Sequence, residues 1–155
     1  MNTCYKHIHQ ILSDLDIHIH SQVHHPSVLT CKEADKYLDD ANGGLKNLLV
    51  KSRQGMFICV ILGGERLDFK KLKIEVGGKA SFVEEGTGMT LIGCEPGSMP
   101  PFGLPEGIQI LADQKVFNEP ILYFNPGINT QTIGITSADY QAILQGYGGR
   151  IVDIV

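Results

Sequence analysis

The chain has 155 residues and a mass of 17.0 kDa, with 13 lysines and arginines against 17 aspartates and glutamates. The formal charge of −4 excludes, on the total, a strongly basic coat for nucleic acid, and 43% hydrophobic with 19% charged residues excludes a disordered chain. The length fits a single domain over 1–155, large enough to bury a core without covalent staples.

The longest apolar run, residues 56–62, is seven residues long, against the ~20 needed to span a bilayer. The first sixteen residues alternate polar and apolar side chains and lack the core of a signal peptide, so a cytoplasmic location is expected. Cys4, Cys31, Cys59 and Cys94 form no C-x-x-C pair. They read as reduced thiols rather than a disulfide framework, with a reactive cysteine as the alternative.

Ile8, Ile11, Leu12 and Leu15 repeat at helical spacing and predict an opening amphipathic helix. Residues 17–23 alternate with period two, as a half-buried strand does. Thr30 and Glu33 form a capping-box pattern that starts a short helix running to Leu38. Gly43-Gly44 then precede two strand-like runs, 45–52 and 56–62, joined by an Arg53-Gln54-Gly55 turn. Asp68 caps a short helix ending at Gly77-Gly78, and residues 79–83 read as a strand. Residues 86–107 carry six glycines and four prolines and predict one long ordered loop. Strands follow at 108–112, 121–124 and 132–135, then a helix capped by Ser137 and a last strand at 150–155. About seven strands and four helices, irregularly interleaved, predict a mixed α/β (α+β) domain rather than a doubly wound sheet.

Three clusters bear chemistry. His18, His20 and His24 fall on one face of an extended strand, which is either a polar face or a site for a transition metal. Lys46, with Leu48 and Val50, lies on one face of its strand, and Leu45, Asn47 and Leu49 on the other. A lysine there serves either as a rigid point charge for a phosphate or as a strand-end side chain reaching water. The stretch Gly93-Cys94-Glu95-Pro96-Gly97-Ser98-Met99-Pro100-Pro101-Phe102-Gly103 combines stiff prolines with glycines that free backbone N–H groups. It is either a structural surface loop or a preorganised set of donors for an ester carbonyl. No GxxxxGK[ST], GxGxxG or GxSxG pattern occurs, which removes the common nucleotide-binding and serine-hydrolase templates.

Lys46-Asn47-Leu48-Leu49, followed some fifty residues later by Gly97-Ser98-Met99-Pro100-Pro101-Phe102-Gly103, resembles the YbaK/ProX family of aminoacyl-tRNA editing domains. Further pieces resemble it in the same order. They are His25-Pro26-Ser27-Val28-Leu29-Thr30, Leu67-Asp68-Phe69-Lys70-Lys71-Leu72, Thr87-Gly88, Phe124-Asn125-Pro126-Gly127 and Thr132-Ile133-Gly134-Ile135. The resemblance implies the family's fold, a curved mixed sheet of about seven strands with short helices. It implies an aminoacyl-tRNA deacylase acting in trans, with Ala- or Cys-tRNA(Pro) as the first substrates to consider. A binding module for tRNA or a synthetase, without catalysis, is the alternative.

The site residues implied are Lys46 at the tRNA 3′ end and Gly97 in the loop that holds the aminoacyl group. Asn47, His25, Thr30, Ser98, Met99, Pro100, Pro101, Phe102, Gly127 and Asn129 are implied around the substrate, with Met99 and Phe102 as pocket wall. A positioned water attacks with help from the ribose hydroxyl, and neither metal nor cofactor is implied. The implied partner is a tRNA 3′ end carrying a wrong amino acid, and a synthetase is a further one; membrane and DNA are not. Many family members carry a histidine shortly after the late glycine, where this chain reads Gly127-Ile128-Asn129-Thr130. Charge distribution agrees with an RNA partner: residues 43–79 hold eight of the 13 basic residues and three of the 17 acidic ones.

Overall fold

A computed structural model describes residues 2–155. The opening helix α1 (Thr3–Asp14) is capped by the Asn2 side chain and buries Cys4, Ile8, Ile11 and Leu12. Strand β1 (Ser21–His24) is shorter than the alternation of residues 17–23 predicts, because pairing with its neighbour begins at Ser21. Thr30 caps α2 (Cys31–Ala34), which tightens into a 3-10 turn over Asp35–Tyr37. Glu33 does not close the capping box on Thr30. Its carboxylate accepts instead from the Leu29 N–H at 2.9 Å.

Strands β2 (Leu45–Ser52) and β3 (Gly55–Leu62) pair in register from Leu45–Leu62 to Ser52–Gly55, with Arg53-Gln54 as the turn. Helix α3 (Phe69–Glu75) starts on the Asp68 carboxylate, and β4 (Ser81–Phe82) pairs with the end of β2. The long loop expected over residues 86–107 is partly helical, since α4 (Glu85–Ile92) occupies its first third. Two effects, one local and one tertiary, outweigh the glycines there. The Glu84 carboxylate accepts from the Gly86 and Thr87 N–H groups, and at Gly88 an added Cβ would sit 3.2 Å from Leu49 and 3.3 Å from Met99. The fold continues through β5 (Ile108–Asp113), β6 (Ile121–Phe124), β7 (Gln131–Thr136), α5 (Ser137–Tyr147) and β8 (Arg150–Val152). Thr136, not Ser137, caps α5.

The result is a mixed α+β architecture with two sheets in place of one curved sheet. One has the order β1-β7-β6 and the other β4-β2-β3-β5-β8. A parallel bridge between Gly44 and Tyr123 joins them at the start of β2. Strand β3 is buried on both faces, which explains its unbroken apolar run. Ile58 and Val60 enter a core with α1, α5 and the smaller sheet, while Phe57, Cys59 and Ile61 enter a second core with Leu72, Val76, Val152 and Ile154.

Candidate active site

Strand β2 changes neighbours along its outer edge. Strand β6 meets it at Gly44, and β4 meets it at Val50 and Lys51, so the edge at Lys46, Asn47 and Leu48 has no strand partner. A cleft of about 560 Å³ opens there. That volume lies within the roughly 300–1,000 Å³ of small-molecule sites and exceeds what one amino acid needs. Leu29, Thr30 and Cys31, the β2 edge, Val83, Glu85, Gly88 and Met89, Gly97 and Met99, and the β6 end at Tyr123–Asn125 all contribute lining.

Lys46 and Asn47 leave opposite faces of β2. Leu45 and Leu49 join the first core on the Asn47 side, and Val50 joins the second core on the Lys46 side. The Lys46 Nζ donates to the Glu65 carbonyl. The ion pairs among the described residues are Lys71–Asp153, Lys115–Glu65 and Arg150–Glu75, so no carboxylate neutralises Lys46. Lys46 lines the cleft, and an ammonium has two N–H donors beyond the one given to Glu65. The Asn47 Nδ2 donates to the Met99 carbonyl at 2.9 Å. That bond fixes the amide orientation and leaves Oδ1 buried without a partner among the described residues.

The loop opposite is held from behind. Ser98 Oγ donates to the Glu95 carbonyl at 2.7 Å, and Gly127 N–H donates to the Ser98 carbonyl at 3.2 Å. Asn129 N–H donates to the Glu95 carboxylate and Asn129 Nδ2 to the Pro96 carbonyl, both at 2.9 Å. These internal bonds engage the N–H of Ser98 but neither that of Gly97 nor that of Met99. Among the described residues, two backbone donors are therefore without an acceptor on residues that line the cleft.

Of the residues implied from sequence, Lys46, Asn47, Thr30, Gly97 and Met99 line one cleft. His25, Ser98, Pro100, Pro101, Phe102, Gly127 and Asn129 do not. Phe102 is fully buried, packed edge-on to Phe124 at 5.3 Å, so it is core rather than pocket wall. Pro100 is buried beside it, and the Pro101 carbonyl accepts from Tyr140 OH at 2.9 Å. Gly127, at φ +80, abuts Cys4 of α1 and serves the loop's rear support, as does Asn129.

His25 stacks on Tyr37 with ring centroids 4.6 Å apart. Its Nδ1 faces the Pro26 carbonyl at 2.8 Å, which places the proton there and lets Nε2 accept from the Thr132 hydroxyl at 2.8 Å. His25 thus acts one layer back, on Thr132, which does line the cleft. His18 and His20 are exposed, and no group of three His, Cys, Asp or Glu converges among the described residues.

Cys31, Asp35, Met89, Tyr123, Asn125 and Thr132 line the cleft without having been singled out as site residues in the sequence. They come from separate elements, and only the quoted Phe124-Asn125-Pro126-Gly127 and Thr132 motifs carried a signal. Burial pushes the Cys94 thiol up to about 11. It also raises Cys31, against an opposing pull from Lys46, and raises the Asp35 carboxyl.

Comparison with known proteins identifies the arrangement. The family model for the aminoacyl-tRNA editing domain matches residues 25–143. The multifunctional Ser/Thr-tRNA deacylase ProXp-y of Escherichia coli (strain K12) is 27% identical over 130 residues, 79% of this chain and 78% of that protein. The hypothetical protein APE2540 superposes with a TM-score of 0.84 at 18% identity, covering 96% of this chain and 98% of that one. A protein assigned as a trans-editing enzyme for prolyl-tRNA synthetase gives 0.81 at 19% identity, covering 99% and 98%. The fold, the family and the enzyme class expected from the sequence agree with these relatives. The chain belongs to the aminoacyl-tRNA editing domain family.

Proposed function

We propose that the protein is a trans-acting deacylase that removes serine or threonine from a tRNA wrongly charged with it. One observation carries this reading: Lys46, Gly97 and Met99 line the same cleft, and among the described residues Lys46 has no carboxylate partner and the Gly97 and Met99 N–H groups have no acceptor. The ammonium suits a phosphate of the 3′-terminal nucleotide, and the two N–H groups suit the ester carbonyl as negative charge develops on it. The ester is already activated, so a water held against it needs orientation more than a protein nucleophile. The ribose hydroxyl beside the ester assists that water. A cytoplasmic location goes with such a substrate.

The choice of amino acid rests on Asn47. Its buried Oδ1 lacks a donor, and such a group costs about 1–3 kcal/mol until one arrives. A serine or threonine hydroxyl supplies a donor. Alanine does not, and a cysteine thiol is a weak one. Ala- and Cys-tRNA(Pro) therefore rank behind, in line with the Ser/Thr-tRNA deacylase activity for which the E. coli relative is named.

The test is amino-acid release from tRNA charged with Ser, Thr, Ala and Cys. Ser and Thr should be released fastest, and Asn47→Leu should lower the Ser-to-Ala ratio by about tenfold. Release no faster than buffer, with salt-dependent tRNA binding retained, would make the protein a binding module instead. Equal slowing of all four by Asn47→Leu would overturn the hydroxyl reading.

A further inference from the structure

Outside the cleft, two aromatic side chains stand in water where a small domain would ordinarily bury them. Phe82 is 54% exposed and Phe69 39%. Their rings meet edge to face, with centroids 5.4 Å apart and planes at 86°. Phe82 sits opposite Val50 in the β2–β4 pairing, and directly paired residues project to one face of a sheet. That face carries Lys46 and Leu48 four and two positions before Val50. Phe82 also lines the cleft. The aromatic pair therefore continues the Lys46 side of the site outward, across β4 to α3.

Charge around the pair is one-sided. Arg66, Lys70, Lys73 and Lys79 are exposed, and none takes part in the ion pairs among the described residues. Lys73 lies one helical turn from Phe69. The acids of this segment are occupied, Asp68 in capping α3 and Glu75 in pairing with Arg150. On the other side of Phe82 stand Glu84 and Glu85, exposed at the start of α4. A polyanion leaving the cleft is thus repelled from the α4 side and drawn over α3.

We infer that Phe82, backed by Phe69, is a stacking platform for the unpaired nucleotides next to the 3′-terminal one, with Arg66, Lys70, Lys73 and Lys79 taking their phosphates. Aromatic faces beside a basic track are how single strands are held without reading sequence. The cleft takes the terminal nucleoside and its aminoacyl group, so the next base emerges at the lip where Phe82 stands. This inference rests on the reading that tRNA is the substrate, and it adds the residues that grip the strand outside the reaction site.

The experiment measures binding, not hydrolysis. An uncharged acceptor-stem minihelix ending in four unpaired nucleotides, ACCA, is compared with the same duplex made blunt, by fluorescence anisotropy. Phe82→Ala should weaken the ACCA minihelix by about 5- to 150-fold, as loss of one stacked base does, and leave the blunt duplex unchanged. Phe82→Trp should restore affinity, and Phe69→Ala should weaken it in the same direction. Both side chains are substantially exposed, so neither truncation opens the core. Unchanged ACCA affinity in Phe82→Ala, or an equal loss on the blunt duplex, overturns the platform. Because no turnover is needed, a protein that stacks but does not hydrolyse refutes the deacylase alone, and one that hydrolyses without needing Phe82 refutes the platform alone.

Discussion

Gly97 presses against the backbone of Leu29: an added Cβ would lie 2.7 Å from the Leu29 Cα and 2.9 Å from its carbonyl oxygen. The obstruction is main chain, which cannot rotate away as a side chain can. Gly97 also sits at φ +74, where an L side chain costs about 1–2 kcal/mol. Gly97→Ala should therefore move the loop and its free N–H groups away from the cleft. Turnover should fall roughly 100-fold, the effect of about 1 Å of misplacement. The fall should appear with folded protein, checked by a thermal melt at the assay temperature.

Phe102 makes the opposite prediction. It is fully buried between Phe124 and Tyr140, so Phe102→Ala should destabilise the protein by about 3–5 kcal/mol. Urea titration reads this directly, and the ratio of Ser to Ala release should stay as in the wild type at low temperature. A changed ratio with unchanged stability would return Phe102 to the pocket wall.

The thiols should be silent. Cys94 is pushed up to about 11 and Cys31 is raised, both mainly by burial, so neither is a thiolate at neutral pH. Cys31→Ser and Cys94→Ser should each keep turnover within about tenfold of wild type. A loss of 100-fold or more in either would mark a nucleophile.

Helix α4, which walls the cleft through Gly88 and Met89, should loosen in acid. The Thr87 hydroxyl, then the Gly86 and Thr87 N–H groups, hold the Glu84 carboxyl below its ordinary 4.5. A carboxyl lowered in the folded state adds stability that is full above its unfolded value and is lost as pH falls through the folded one. Amide exchange over residues 85–92 should be slower in wild type than in Glu84→Gln at pH 7, and the two should converge in acid.

The sequence made the β2–β3 hairpin, the α1 face and the Lys46/Asn47 split legible because each is local: period two or 3.6, with a turn or cap beside it. Helix α4 was hidden because glycine counts speak against helix, while the Glu84 cap and the approach of Leu49 and Met99 to Gly88 speak for it. Only the first of those is near in sequence. The motif around Gly97 located the loop but not its division of labour. Gly97 and Met99 face the cleft, Ser98 faces inward, and Asn129 reaches the loop through the Pro96 carbonyl. Alternate neighbours in a tight turn point opposite ways, and no residue pattern announces which. The splitting of one sheet into two was equally non-local, since it depends on β6 and β4 meeting the two ends of β2 and leaving its middle free.

The central claim is that the cleft beside Lys46 hydrolyses aminoacyl-tRNA. The most direct measurement is single-turnover release of serine from mischarged tRNA by wild type, Lys46→Ala and Lys46→Arg. Wild type should release it well above the buffer rate, and Lys46→Ala should fall by about 100-fold or more. Lys46→Arg should not restore the rate, because a planar fork does not replace a point charge tied to the Glu65 carbonyl. Full activity in Lys46→Ala would contradict the account.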